Sequence, residues 1–153
     1  TTQLISNGGF EGGSTSWTQS SGVITSDSGE PAHAGSWKAW LDGYGTTHTD
    51  YVRQQISIPA GVSSATLDFF MHVDTAEPKT TVYDNLQVQV ITSTGKVLTL
   101  ATFSNKDAAS GYQEHTISLN AYKGQTLQIN FNGVEDSTKQ TSFVIDDVSV
   151  KVQ

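Results

Sequence analysis

The chain has 153 residues, a formal net charge of -7 and no cysteine. Disulfides, thiolate metal sites and thiol catalysis are therefore excluded, and nucleic acid and anionic membrane surfaces are poor partners for so acidic a chain. No run approaches the roughly 18 apolar residues of a membrane helix.

Charged residues make up only 15% of the chain, against about 25% in an ordinary domain. Ser, Thr, Gly, Asn and Gln fill the surface instead, a composition expected of exported bacterial domains. The start at Thr1-Thr2-Gln3 is read as that of an excised mature piece, so a missing signal peptide says little about compartment.

Taken in order, the predicted elements are almost all strands. Short segments "QLIS" and "GVITS" open the chain. Period-2 runs follow, rich in Val, Ile, Thr and aromatics and bounded by turn residues. They are "SWKAWLDGY", "YVRQQISIP", "ATLDFFMHV", "NLQVQVI", "KVLTLATF", "YQEHTISL", "TLQINFNGV" and "SFVIDDVSVKV". "TSTGK" (92–96) is a hairpin turn, and "LNAYKGQT" (119–126) a helical turn or loop. No composition shift and no fixed-period repeat divides the chain. The expectation is a single all-β domain over residues 1–153, an antiparallel two-sheet jelly-roll sandwich of about 8–10 strands. Leu67, Phe69, Met71 and Val73 form one core stripe, Leu86, Val88 and Val90 a second, and Leu127, Ile129 and Phe131 a third. The opposite faces are mostly polar, as for sheets with one wet side.

Several carboxylates continue the apolar faces. Asp50 shares a face with Val52, Gln54 and Ile56, Asp84 with Leu86, and Glu135 with Phe131. These are end-of-strand residues, read as solvent-facing or capping loop amides, with metal ligation as the alternative. In "TSFVIDDVSV" (141–150), Val144, Asp146, Val148, Val150 and Val152 alternate with Ile145, Asp147, Ser149 and Lys151. The valine face is expected in the core, which places Asp146 inside. A buried carboxylate must be paired, hydrogen-bonded or bound to metal. All-oxygen ligation at a loop-rich sheet edge suits calcium better than magnesium.

The opening "LISNGGFEGGSTSW" and closing "FVIDDVSV" resemble the ends of galactose-binding-like and carbohydrate-binding-module jelly rolls. "GSWKAWLDGY", "YVRQQISIPAGVSSATLDFFMHV", "YDNLQVQVI" and "EDSTKQTSFVIDDVSV" resemble the domain at the C-terminus of many secreted bacterial peptidases, related in form to MAM-like sandwiches. The resemblance implies a structural calcium held by Glu11 and Asp146, with backbone carbonyls near Asn7, Gly35 or Ser36. Related sequences tend to show "WLGGY" where this chain has "WLDGY", so Asp42 is an added charge, either a further metal ligand or a residue in solvent beside Gly43.

Neither "HExxH" nor "GxSxG" occurs, and His33, His48, His72 and His115 form no ligand motif. His72 is expected in solvent, and the neighbours Asp146 and Asp147 are expected on opposite faces, unable to flank one bond. The chain thus reads as a non-catalytic, monomeric, extracellular accessory module of a secreted hydrolase, a peptidase by the resemblance. Its partners would be a parent catalytic domain and a polysaccharide or protein substrate. The alternative is a carbohydrate-binding module using exposed aromatics, with Trp40, Tyr44, Phe70 and Tyr83 as candidates.

Overall fold

The computed structural model describes residues 1–153. It contains eleven strands and two short 3₁₀ turns, at Asn105–Asp107 and Asn120–Tyr122. The strands are β1 (Thr2–Gln3), β2 (Thr18–Gln19), β3 (Ile24–Thr25), β4 (Lys38–Asp42), β5 (His48–Ser57), β6 (Ala65–Thr75), β7 (Asn85–Thr92), β8 (Val97–Ser104), β9 (Gln113–Ser118), β10 (Thr126–Glu135) and β11 (Thr141–Val152). Two antiparallel sheets face each other. One has the order β3-β4-β11-β6-β9, with β1 also on β11, and the other runs β2-β5-β10-β7-β8.

The alternating stripes meet between the sheets. Leu67, Phe69, Met71 and Val73 from β6 pack toward Leu86, Val88 and Val90 of β7 and Leu127, Ile129 and Phe131 of β10 in one buried cluster. Phe69 and Phe131 touch across the gap edge to face, centroids 5.1 Å apart at 74°, the geometry that ring quadrupoles favour.

The last strand departs from simple alternation. Phe143 and Ile145 face the core in its first half, and Val148, Val150 and Val152 in its second. A register shift between Asp146 and Ser149 joins the halves, and Asp147 sits there at φ 50°. This β-bulge exchanges the two faces. Asp146 therefore lies opposite Phe70, on the outer face of the sheet, and not among the core valines as expected. Asp147 lies on the same side, in a groove with Phe70, Asp68 and Glu114, so the two carboxylates do not face opposite ways.

Asp146 is nonetheless completely buried, because the segment 26–37 folds over this outer face. His33 stacks on Phe70 with centroids 3.9 Å apart at 16°. The Tyr112 hydroxyl donates to the Pro31 carbonyl at 2.7 Å, and the buried Lys38 ammonium donates to the Asp27 carbonyl. His72 is covered too. Its side chain is 12% exposed, with Nε2 3.0 Å from the Ala109 carbonyl, so it is not a solvent histidine.

Candidate functional site

Glu11 and Asp146 are tied to neighbouring stretches of one loop. The Glu11 carboxylate accepts from the Ser36 and Trp37 amides at 3.0 and 2.8 Å. Asp146 accepts from the His33, Ala34 and Asp147 amides at 2.9, 3.2 and 2.8 Å. Burial pushes the Asp146 carboxyl up to about 6, the three amides pull it down, and the Asp147 charge adds to the rise. Gly35 has no room for a side chain, since a Cβ would lie 2.4 Å from the Glu11 carboxyl carbon. The Asn7 carbonyl is already engaged, accepting from the Trp17 indole at 2.8 Å. The two carboxylates thus have the oxygen chemistry that suits calcium, beside one loop whose N–H groups from residues 33–37 turn toward them in this structure.

A second set of carboxylates gathers at one end of the sandwich. Asp50, Asp84 and Glu135 continue the strand faces inward and are 2%, 0% and 1% exposed. They cap loop amides, as one of the two sequence readings has it. Glu135 accepts from Tyr44, Gly45 and Thr141. Asp84 accepts from the Asp136 amide and the Thr141 hydroxyl, and Asp50 from the Asp42 amide. Asp42 differs. Its backbone is left-handed, φ 64°, which turns it out of the β4 alternation toward the opposite sheet. Burial pushes its carboxyl up to about 9, and Asp50, Glu135 and Asp84 add to the rise. The Asp50 N–H offsets a little of this without reaching hydrogen-bonding geometry.

The candidate aromatics do not converge on one surface. Trp40 is half-buried, donates from Nε1 to Ser142 at 2.9 Å, and lines a cleft of about 220 Å³ with Tyr44 and Asp27. Phe70 lies under His33. It borders a different, larger groove of about 630 Å³. Tyr83 is 43% exposed beside the β7 entrance, where its amide donates to Asn105.

One surface escaped the sequence reading. The outer face of the five-stranded sheet carries rows of amide side chains. Arg53, Asn130, Gln89 and Thr99 face one another across β5, β10, β7 and β8, and Tyr51, Asn132, Gln87 and Thr102 form the adjacent row. Asn130 Nδ2 donates to Gln89 Oε1 at 3.0 Å, and Asn132 Nδ2 lies 3.3 Å from Gln87 Oε1. The Arg53 guanidinium sits 4.2 Å from the Tyr51 ring centroid. Asn130 Oδ1 is buried without a hydrogen-bond partner. The signal was present in "YVRQQ", "NLQVQV" and "QINFN". Amides, not charges, fill alternate positions there on strands that pair in register.

No protein-family model and no curated protein sequence matches the chain. Solved structures share its fold across essentially the whole length. It is similar to a module called TmCBM61, solved with β-1,4-galactotriose, at TM-score 0.69 and 16% identity, covering 100% of both chains. The K3 cleaved adhesin domain of Lys-gingipain from Porphyromonas gingivalis matches at 0.66 and 14%, covering 98% of this chain and 99% of that one. The CBM22-1 xylan-binding domain from Paenibacillus barcinonensis Xyn10C matches at 0.63 and 13%, covering 99% and 94%. The fold is the β-sandwich jelly roll that these structures share.

Proposed function

We propose that the chain is a non-catalytic accessory module that binds a neutral glycan on the amide-covered face of its five-stranded sheet. The observation that carries this reading is the two paired rows, Asn130 with Gln89 and Asn132 with Gln87, set between Arg53 and Tyr51 on one side and Thr99 and Thr102 on the other. Sugar hydroxyls both donate and accept, and so does each carboxamide. Arg53 adds a fork of donors beside the Tyr51 ring. The glycan-binding neighbours support the reading by fold alone. A secreted parent hydrolase, a peptidase by the sequence resemblance, is part of the proposal. The test is affinity electrophoresis and calorimetry against a panel of soluble neutral polysaccharides. Arg53→Ala should weaken binding by about 10- to 150-fold, the loss expected for a charge-assisted hydrogen bond worth ~1.5–3 kcal/mol, and Asn130→Ala by about 2- to 13-fold, that of a neutral one worth ~0.5–1.5 kcal/mol. Because Trp40 and Tyr44 share one cleft, that cleft is the second reading. Binding abolished by Trp40→Ala and indifferent to Asn130→Ala would select it, and no binding across the panel defeats both.

The proposal includes a structural calcium held by Glu11 and Asp146, with a carbonyl at Gly35 or Ser36 turned toward it. The ion would supply the charge that two desolvated carboxylates lack and tie the N-terminal segment to β11. Calcium added back to the metal-stripped chain should raise the melting temperature of the wild type and of Asp147→Asn, but hardly that of Asp146→Asn. Ligand linkage gives about 2.7 kcal/mol at a hundredfold excess over the dissociation constant. An unchanged wild-type midpoint on adding calcium back leaves the five amide contacts as the whole account of Glu11 and Asp146.

A further inference from the structure

At the acidic end of the sandwich, both oxygens of Asp42 are buried without any hydrogen-bond partner, although the residue is only 5% exposed. An unpartnered buried carboxylate is among the costliest arrangements a fold can hold. The backbone adds to the cost, because φ 64° at Asp42 is a conformation that glycine adopts freely and aspartate with some strain. The carboxylate has room only because position 133 is glycine, where a Cβ would lie 2.6 Å from Asp42 Oδ2. No lysine or arginine answers the charge, since all three ion pairs of the chain use histidine.

The side chains around it complete a ligand set. Asp42, His48 and Asp50 each present one ligand atom, and these atoms lie within 4.8 Å of one another. His48 Nε2 stands 2.9 Å from Asp50 Oδ1. The other Asp50 oxygen accepts from the Asp42 amide at 2.9 Å, which fixes the carboxylate. Tyr44 packs on the imidazole with centroids 3.9 Å apart. Asp50 is almost fully buried, while the His48 side chain is 34% exposed, so an ion has a route in from solvent.

We propose that Asp42, His48 and Asp50 bind a divalent transition-metal ion of the zinc class. Two carboxylates and one imidazole balance a double positive charge and match the mixed nitrogen and oxygen preference of such ions. Calcium, which takes oxygen ligands in greater number, suits this set less well. Glu135 and Asp84 strengthen the negative potential, but their oxygens are occupied by loop amides and the Thr141 hydroxyl. A proton on Asp42 would remove the charge but would bring no donor to its oxygens. This site is independent of the glycan face and of Glu11 and Asp146.

The experiment uses the whole chain, stripped of metal and titrated with zinc alone against a chromophoric chelator, with melting followed in parallel. The expected result is one zinc per chain and a raised melting temperature. His48→Gln, altering a half-exposed side chain, should weaken zinc at least tenfold while leaving the metal-free midpoint unchanged. Asp42→Gly should abolish the zinc response yet melt no lower than the metal-free wild type, because it removes both the strained backbone and the unpartnered carboxylate. Asp146→Asn should bind zinc like the wild type. Equal zinc affinity in wild type and His48→Gln, or saturation of this site by calcium with zinc ignored, overturns the assignment.

Discussion

Phe131→Ala is expected to remove about 3–5 kcal/mol of stability, the range for emptying a buried aromatic site. Phe131 has no exposed surface. It lies mid-strand in β10 between Val52 and Val88, with its ring against Phe69 of the other sheet. Neither sheet can close the gap, because each is held at fixed spacing by its own ladders. A domain of this size has roughly 5–15 kcal/mol in total, so the variant should unfold at a fraction of the wild-type urea midpoint with little change in slope. Phe70→Ala is the control. Its ring sits on the outer face under His33, where truncation leaves the inter-sheet packing intact. A loss at Phe131 no larger than at Phe70 would contradict the placement of the core.

Stability should fall as the pH rises from about 4.5 to 8, and Glu30→Gln should flatten that fall. Glu30, within the segment 26–37, is 5% exposed and turns inward toward His72 and Lys38. Its carboxyl is pushed up to about 8, first by burial and then by the hydrogen bond and charge of Asp74, against the opposing pull of Lys38. Between its unfolded and folded values, the unfolded chain has released the proton and the folded chain retains it. The folded state is then the one binding more protons, so raising the pH favours unfolding. Below 4.5 both states are protonated and the penalty vanishes; above 8 both are ionised and it is constant. Asp42 and Asp146 are shifted the same way and contribute with the same sign. The upper bound for one group is ~1.4 kcal/mol per pH unit, reduced by solvent screening at this loop. Melting temperatures of wild type and Glu30→Gln measured at pH 5 and pH 8 decide the matter. The gap should favour the variant at pH 8, and parallel curves would exclude Glu30 as a source.

The sandwich was legible because period-2 alternation in β6, β7 and β10 is unbroken, so face assignment needed only counting. The same counting correctly sent Asp50, Asp84 and Glu135 inward. It failed at Asp146 because one extra residue in the β11 bulge exchanges the faces, and nothing in "VIDDVSV" marks a bulge that aspartate rather than glycine occupies at positive φ. His72 and Phe70 were assigned to the correct outer face, but their cover comes from residues some forty positions away on either side in the chain, which no local pattern reports. Lys38 was overlooked for the same reason: a strand lysine normally reaches water, and this one is 1% exposed beneath that cover. The amide rows were visible residue by residue. Their alignment became apparent only once β5, β10 and β7 were placed side by side in register.

The pairing of β1 with β11, Thr2 beside Val152 and Gln3 beside Lys151, sets how such a unit can be wired to others. Entry and exit of the backbone lie at one rim of the six-stranded sheet, a strand's width apart. Strands pair at ~4.8 Å, so the unit can interrupt a surface hairpin of a host protein without prising its two stems apart, much as a bead hangs from a pinched thread. The amide rows lie on the other sheet, facing away from that seam. A host joined at the seam leaves them pointing outward, whichever linker precedes or follows. Joining residue 153 back to residue 1 and reopening the chain at the 92–96 turn would redraw the connectivity while leaving every ladder in place, the condition under which permuted domains fold.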